Sequence, residues 1–166
     1  YDGWTFTWKA GRMLASMVKS GTNAQFTYDH NGLRIKKVVN GVTTNYTLNG
    51  KNVVHMTQGS HDLHFFYDAQ GKPGMVTYND VDYFYVYNLQ GDVVALIDAN
   101  GTQVVEYGYD AWGNPISKTG SLAATIGTLN PFRYRGYVYD EETGWYLLNE
   151  RFYNPAWKRF TNADRI

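Results

Sequence analysis

The sequence has 166 residues, 43% apolar and 17% aromatic, enough to bury the core of one domain. Fifteen basic and fifteen acidic residues cancel, so nothing steers the chain towards nucleic acid or anionic lipid. Absence of cysteine removes disulfides, thiolate nucleophiles and thiolate zinc sites without fixing a compartment. The longest apolar run, Val93 to Ile97, is five residues, against the roughly 20 that a membrane-spanning helix needs.

Fifteen Tyr and five Trp beside 17 Gly and only four Pro favour pleated, half-buried surfaces punctuated by turns, hence an all-β fold. Along the chain a unit recurs: aromatic, Asp or Asn, two variable residues, Gly. A shortened copy, Trp8-Lys9-Ala10-Gly11, comes first. Tyr28-Asp29-His30-Asn31-Gly32 is the first full copy, and Tyr46-Thr47-Leu48-Asn49-Gly50 is a looser one. Tyr67-Asp68-Ala69-Gln70-Gly71, Tyr87-Asn88-Leu89-Gln90-Gly91 and Tyr109-Asp110-Ala111-Trp112-Gly113 follow. The leading aromatics at 8, 28, 46, 67, 87 and 109 are separated by 20, 18, 21, 20 and 22 residues, the signature of a repeat architecture. Half a period away lie secondary turns such as Asn40-Gly41 and Asp98-Ala99-Asn100-Gly101, so each period resolves into two strands and two turns.

In each unit the Asp or Asn carboxyl or amide oxygen can accept from the backbone two residues on, and Gly takes the positive φ that completes a hairpin. The Tyr ends the incoming strand. In stacked hairpins these tyrosines are expected in columns, ring over ring, each hydroxyl near a polar partner. Val81, Tyr83, Tyr85 and Tyr87 share one strand face, with Asp82, Phe84, Val86 and Asn88 on the other. Aromatics on both faces predict a sheet covered on both sides or curled round an enclosed space. The pattern divides the chain into hairpin repeats over 1–115, a loop or short irregular helix over 116–130, and a distinct segment over 131–166. In that last segment Phe132 to Tyr139 and Trp145 to Tyr153 read as two strands joined by a turn at Asp140 to Gly144, with Asn154-Pro155 ending the second.

These residues resemble a known family. The units resemble the YD repeats of Rhs (rearrangement hot spot) proteins, and Asn130 to Tyr137, Tyr139-Asp140 to Gly144 and Arg151 to Pro155 resemble the Rhs-repeat-associated core. The resemblance spans nearly the whole chain. It implies an antiparallel β-hairpin sheet spiralling into a hollow shell, as in polymorphic toxins, the C component of insecticidal toxin complexes, bacterial wall-associated proteins and animal teneurins. It also implies a secreted or cell-surface bacterial protein whose partners are the rest of a longer parent chain and a C-terminal effector. In many members the core ends in an aspartyl self-cleaving segment. Here Arg151, Phe152, Tyr153, Pro155, Arg159, Phe160 and Asp164 match that string, whereas Asn154 replaces its first Asp, Lys158 its Gly and Arg165 its second Pro. Asn cannot serve as acid or base, which leaves Arg151 and Asp164 as weak candidates for self-cleavage and no catalytic assignment. The departures resemble the wall-associated, Gram-positive-type branch.

Other chemistry is sparse. His61-Asp62-Leu63-His64 holds the only close histidine pair, but positions three apart on a strand face opposite sides, and no third ligand is evident. No metal and no cofactor are therefore assigned. Asp140, Glu141 and Glu142 read as a solvated hairpin tip. Arg133 and Arg135 are expected on one strand face, paired with Asp140, Glu150 or Asp164 or stacked on aromatics. Trp112, Trp145 and Trp157 would suit sugar stacking if exposed, with burial the stronger expectation. No nucleophile elbow, phosphate loop or dinucleotide motif is present. The reading is a non-enzymatic wall segment, with a surface carbohydrate- or protein-binding module as the alternative. Open sheet edges are expected to promote self-association.

Overall fold

The computed structural model describes residues 1–162. The first twelve strands form one antiparallel sheet in chain order, every neighbour joined by a hairpin. They are β1 (Thr5–Lys9), β2 (Met13–Lys19), β3 (Thr22–Tyr28), β4 (Arg34–Val39), β5 (Val42–Asn49) and β6 (Asn52–Gln58). Then come β7 (His61–Tyr67), β8 (Pro73–Tyr78), β9 (Val81–Tyr87), β10 (Val93–Ile97), β11 (Gln103–Tyr109) and β12 (Pro115–Thr119). Residues 116–119 thus belong to the sheet and not to the expected loop, because Ile116 to Thr119 continue a pleated run before Gly120 stops it.

Two kinds of turn line the two rims. On one rim Asp29, Asp68, Asn88 and Asp110 each use Oδ1 to accept from the backbone N–H groups two and four residues on, at 2.8–3.1 Å. The glycine three residues on adopts a φ of +81° to +92° at positions 32, 71, 91 and 113, which only a side-chain-free residue takes without strain. On the other rim Asn40-Gly41 and Asn79-Asp80 form two-residue turns with positive φ at both positions, the twist that antiparallel strands require. Asp98 departs from that pattern. It forms the full loop, accepting from Asn100 and Thr102, although no aromatic precedes it.

A β-bulge recurs where each odd strand meets the following even one. Pairing jumps past Ala15, Ile35, Val54, Gly74, Val94 and Ile116, beside Trp8, Tyr28, Leu48, Tyr67, Tyr87 and Tyr109. An extra residue bends its strand and raises the local twist. Six of them along a single rim curl the sheet towards one face.

That face is filled. Residues 122–162 fold back over it as helix α1 (Ile126–Leu129), a 3-10 turn (Tyr134–Gly136), and a second antiparallel sheet of β13 (Val138–Asp140), β14 (Trp145–Leu148), β15 (Arg151–Asn154) and β16 (Arg159–Phe160). Ile126 and Phe132 join Met56, Leu63, Phe65, Val76, Tyr85, Leu96, Val105 and Tyr107 in one core, while Trp145, Leu147 and Phe152 join Leu14, Met17, Phe26 and Val39 in another. The opposite face keeps Phe66 and Phe84 exposed. The sheet is covered on one side, not both, because the aromatics of its outer face have no covering layer within these residues.

The two strands expected after residue 131 become three and a turn. Arg135 takes φ +55° and breaks the first, so Arg133 and Arg135 do not share a strand face. Asn149, at φ +53°, ends β14 and turns the chain into β15.

Candidate functional site

Tyrosine hydroxyls link the repeats to one another. Tyr28 donates to the Leu14 carbonyl at 2.7 Å, Tyr67 to Val53 at 2.7 Å, Tyr87 to Pro73 at 2.6 Å and Tyr109 to Val93 at 2.7 Å. Each acceptor is the residue paired with the strand-end aromatic or aliphatic residue of the preceding unit: Trp8, Leu48, Tyr67 and Tyr87. Every such tyrosine therefore ties its own turn to the turn before it. Burial raises the pKa of all four, and Tyr67 is pushed up to about 12, which keeps the hydroxyls protonated donors. Instead of stacking on the next repeat's ring, Tyr87 and Tyr109 stack on Tyr85 and Tyr107, two residues earlier on the same strand. Tyr46, counted as a repeat aromatic, lies mid-strand, and Leu48 holds the rim position in its place.

The ladder ends in the closing segment. Three tyrosines converge on the last turn: Tyr134 donates to the carbonyl of Ala111 at 3.2 Å, Tyr153 to Trp112 at 2.7 Å and Tyr146 to Gly113 at 2.7 Å. Gly113 also lies so close to the Tyr134 ring that an added Cβ would come within 2.5 Å of it.

Across the middle of the sheet the closing segment is clamped by buried charge. Arg34 grips Asp140 with both terminal nitrogens, at 2.6 and 2.9 Å, and Lys37 reaches the same carboxylate at 3.1 Å and Glu142 at 2.9 Å. The Arg34 guanidinium also lies over the rings of Phe26 and Tyr46. Asp140 is 1% exposed. It is therefore not at a solvated tip: the turn folds inward because two cations already stand on the inner face of β4. Burial alone would raise its pKa, but Arg34 and Lys37 outweigh that and bring it from 3.8 to about 2. Tyr139 packs against Tyr146 with its ring tilted by 46°, and Gly144 closes the turn at φ +75°.

Arg133 is equally enclosed. It donates to the carbonyls of Gly127 and Asn130 and to Glu141, which Lys118 also reaches, and it stacks over Tyr107. Its carboxylate partner is Glu141, not Asp140 or Glu150. Asn130, fully buried, accepts from the Tyr85 hydroxyl and donates to the Tyr107 hydroxyl. These are structural roles, and among the described residues no buried side-chain nitrogen or oxygen lacks a hydrogen-bond partner.

The remaining candidates scatter. Arg151 lies over the Phe160 ring, and Asp164 falls outside the described residues. Asn154 caps a turn, its Oδ1 accepting from Ala156 and Trp157. Trp145 is 2% exposed, Trp157 packs against Tyr1 and Trp145, and Trp112 is 47% exposed beneath Lys158. No candidates converge on a catalytic pair among the described residues. Arg34 and Lys37 were missed from sequence. Regular alternation would place them on opposite faces of β4, and only the bulge at Ile35 brings both to the inner face.

This arrangement defines an all-β repeat protein, a curled antiparallel sheet of YD hairpins sealed by a terminal segment that packs on its inner face. The sequence model of the Teneurin YD-shell family matches residues 10–166, and the chain belongs to that family. It is 40% identical over 171 aligned positions to the tRNA nuclease WapA of Bacillus subtilis and to the tRNA3(Ser)-specific nuclease WapA of Bacillus spizizenii. Those alignments cover 98% of this chain but only 7% of each relative. The fold matches the crystal structure of TcdB2-TccC3-TEV with a TM-score of 0.76 at 16% identity, over 99% of this chain and 9% of that one.

Proposed function

We propose that this chain is a non-enzymatic wall segment of a secreted or cell-surface YD shell that encloses or displays a C-terminal effector encoded in the same bacterial polypeptide. The chain divides functionally into hairpin repeats, a connecting stretch and a closing segment. The observation that carries this reading is the anchoring of the closing segment: the Arg34–Asp140–Lys37 clamp and the three tyrosines on the last turn hold residues 130–160 across the sheet, as a lid on a wall requires. The nuclease names of the WapA relatives fit an effector lying elsewhere in such a parent. The carbohydrate-binding alternative is weakened by the burial of Trp145 and the packing of Trp157.

Limited proteolysis of the parent protein tests the enclosing role. An effector walled off by the shell is cut slowly in the wild type and rapidly once Asp140→Ala loosens the closing segment. Equal cutting of the effector in both proteins would exclude enclosure.

A further inference from the structure

On the outer face of the sheet, away from every contact described above, three side chains converge. The two-residue turn after Gln58 sets β6 against β7 so that His55 lies directly opposite His64. Their imidazoles stack face to face, with centroids 4.1 Å apart and planes 8° from parallel. Asp62, two residues before His64, projects from the same face of β7. Its Oδ1 is in hydrogen-bond contact with His55 Nε2, and its Oδ2 lies 3.0 Å from His64 Nε2. The third histidine of the hairpin, His61, is on the other face, bonded to the Tyr78 hydroxyl at 2.6 Å.

We infer that His55, Asp62 and His64 form a binding site for a divalent transition-metal ion of the zinc type. Two imidazole nitrogens and a carboxylate are the donor set such ions select, whereas calcium and magnesium prefer oxygen alone. The donor atoms all lie within 4.8 Å of one another. An ion bonded at about 2.0–2.2 Å to each donor needs them roughly 3–3.5 Å apart with both imidazole lone pairs aimed at one point, which requires the stacked rings to turn out of parallel about their side-chain torsions. The backbone does not have to move, since ladder hydrogen bonds on both strands already hold the two histidines opposite each other. His64 and Asp62 are about half exposed, so the positions not taken by protein remain open to water or to a group from another molecule. The site is independent of the shell reading, because its three residues lie on the face opposite Met56 and Leu63, which point to the covered core.

Zinc titration of the purified protein in chelator-treated buffer, followed by calorimetry, tests this. One equivalent of zinc is expected to bind saturably, and His55→Ala, His64→Gln and Asp62→Asn are each expected to weaken binding by about tenfold or more, one ligand's worth of free energy. His61→Ala and His30→Ala should leave binding unchanged. All three ligand substitutions lie on the outer face. Zinc-free melting curves identify any variant that does not fold, and a zinc-induced rise in Tm present in the wild type and absent in His64→Gln gives a second readout. Absence of saturable binding below about 1 mM zinc, or binding that survives in His64→Gln and disappears in His61→Ala, would overturn the assignment.

Discussion

Asp140 concentrates more consequence than any other residue. Its removal leaves Arg34 buried without a counter-charge and Lys37 with Glu142 alone, so Asp140→Ala is expected to lower stability by about 3–5 kcal/mol, read from the urea midpoint. The same group sets an acid limit. Its folded pKa, about 2, lies below the unfolded 3.8, so its stabilisation is fully present above about pH 4 and disappears as pH falls through 2, a loss of about 2 kcal/mol. Denaturant melts at pH 5 and pH 2.5 should show most of that loss in the wild type and much less of it in Asp140→Asn. Gly113 is critical for a different reason. A side chain there meets both a φ of +92° and the Tyr134 ring, so Gly113→Ala should destabilise by more than Gly71→Ala, where the added atom meets nothing within 4 Å.

Among the elements, the hairpin pair with its tyrosine strut is the unit of construction. Each hydroxyl-to-carbonyl bond contributes about 1 kcal/mol. Tyr28 and Tyr109 occupy β3 and β11, far apart in the sheet order, so Tyr28→Phe and Tyr109→Phe should each cost about that much and add in the double variant to within ~0.5 kcal/mol. The strut is missing once, at Leu48, beside a crevice of 170 Å³ lined in part by Leu33, Arg34, Leu148 and Asn149. Leu48→Tyr should restore it by donating to the Arg34 carbonyl, the residue paired with Tyr28, and thermal melts should show a higher Tm.

At the scale of the molecule, the sheet depends on its closing segment. Phe132 meets Phe65 and Tyr85 edge-on at 5.0 and 6.2 Å, joining strands that no hairpin connects. Truncation after Thr119 would bare the apolar inner face from Met17 to Tyr107. Such a truncated chain is expected to bind a hydrophobic dye and to self-associate, as light scattering would report, because a large apolar surface and two open edges, β1 and β12, then face water together.

Much of this architecture is written locally. The turn residues, the alternation and the 20-residue spacing mark the hairpins without reference to anything distant, since an Asx oxygen satisfies backbone groups two and four residues on and a two-residue turn fixes strand register. By that logic the facing of His55 and His64 was also legible once Gly59-Ser60 is taken as the turn. The break in the first strand expected within 131–153 was not legible, because Arg135 adopts positive φ where its backbone N–H donates to Asp92, 43 residues away. Nor was the clamp: Arg34 and Asp140 are 106 residues apart in sequence, and nothing near either one names the other. The sequence by itself determined the repeat and its turns, through interactions spanning a few residues. Tertiary structure alone decided which face is covered and by what, because that choice depends on buried charges and aromatic rings that meet only after the sheet has curled.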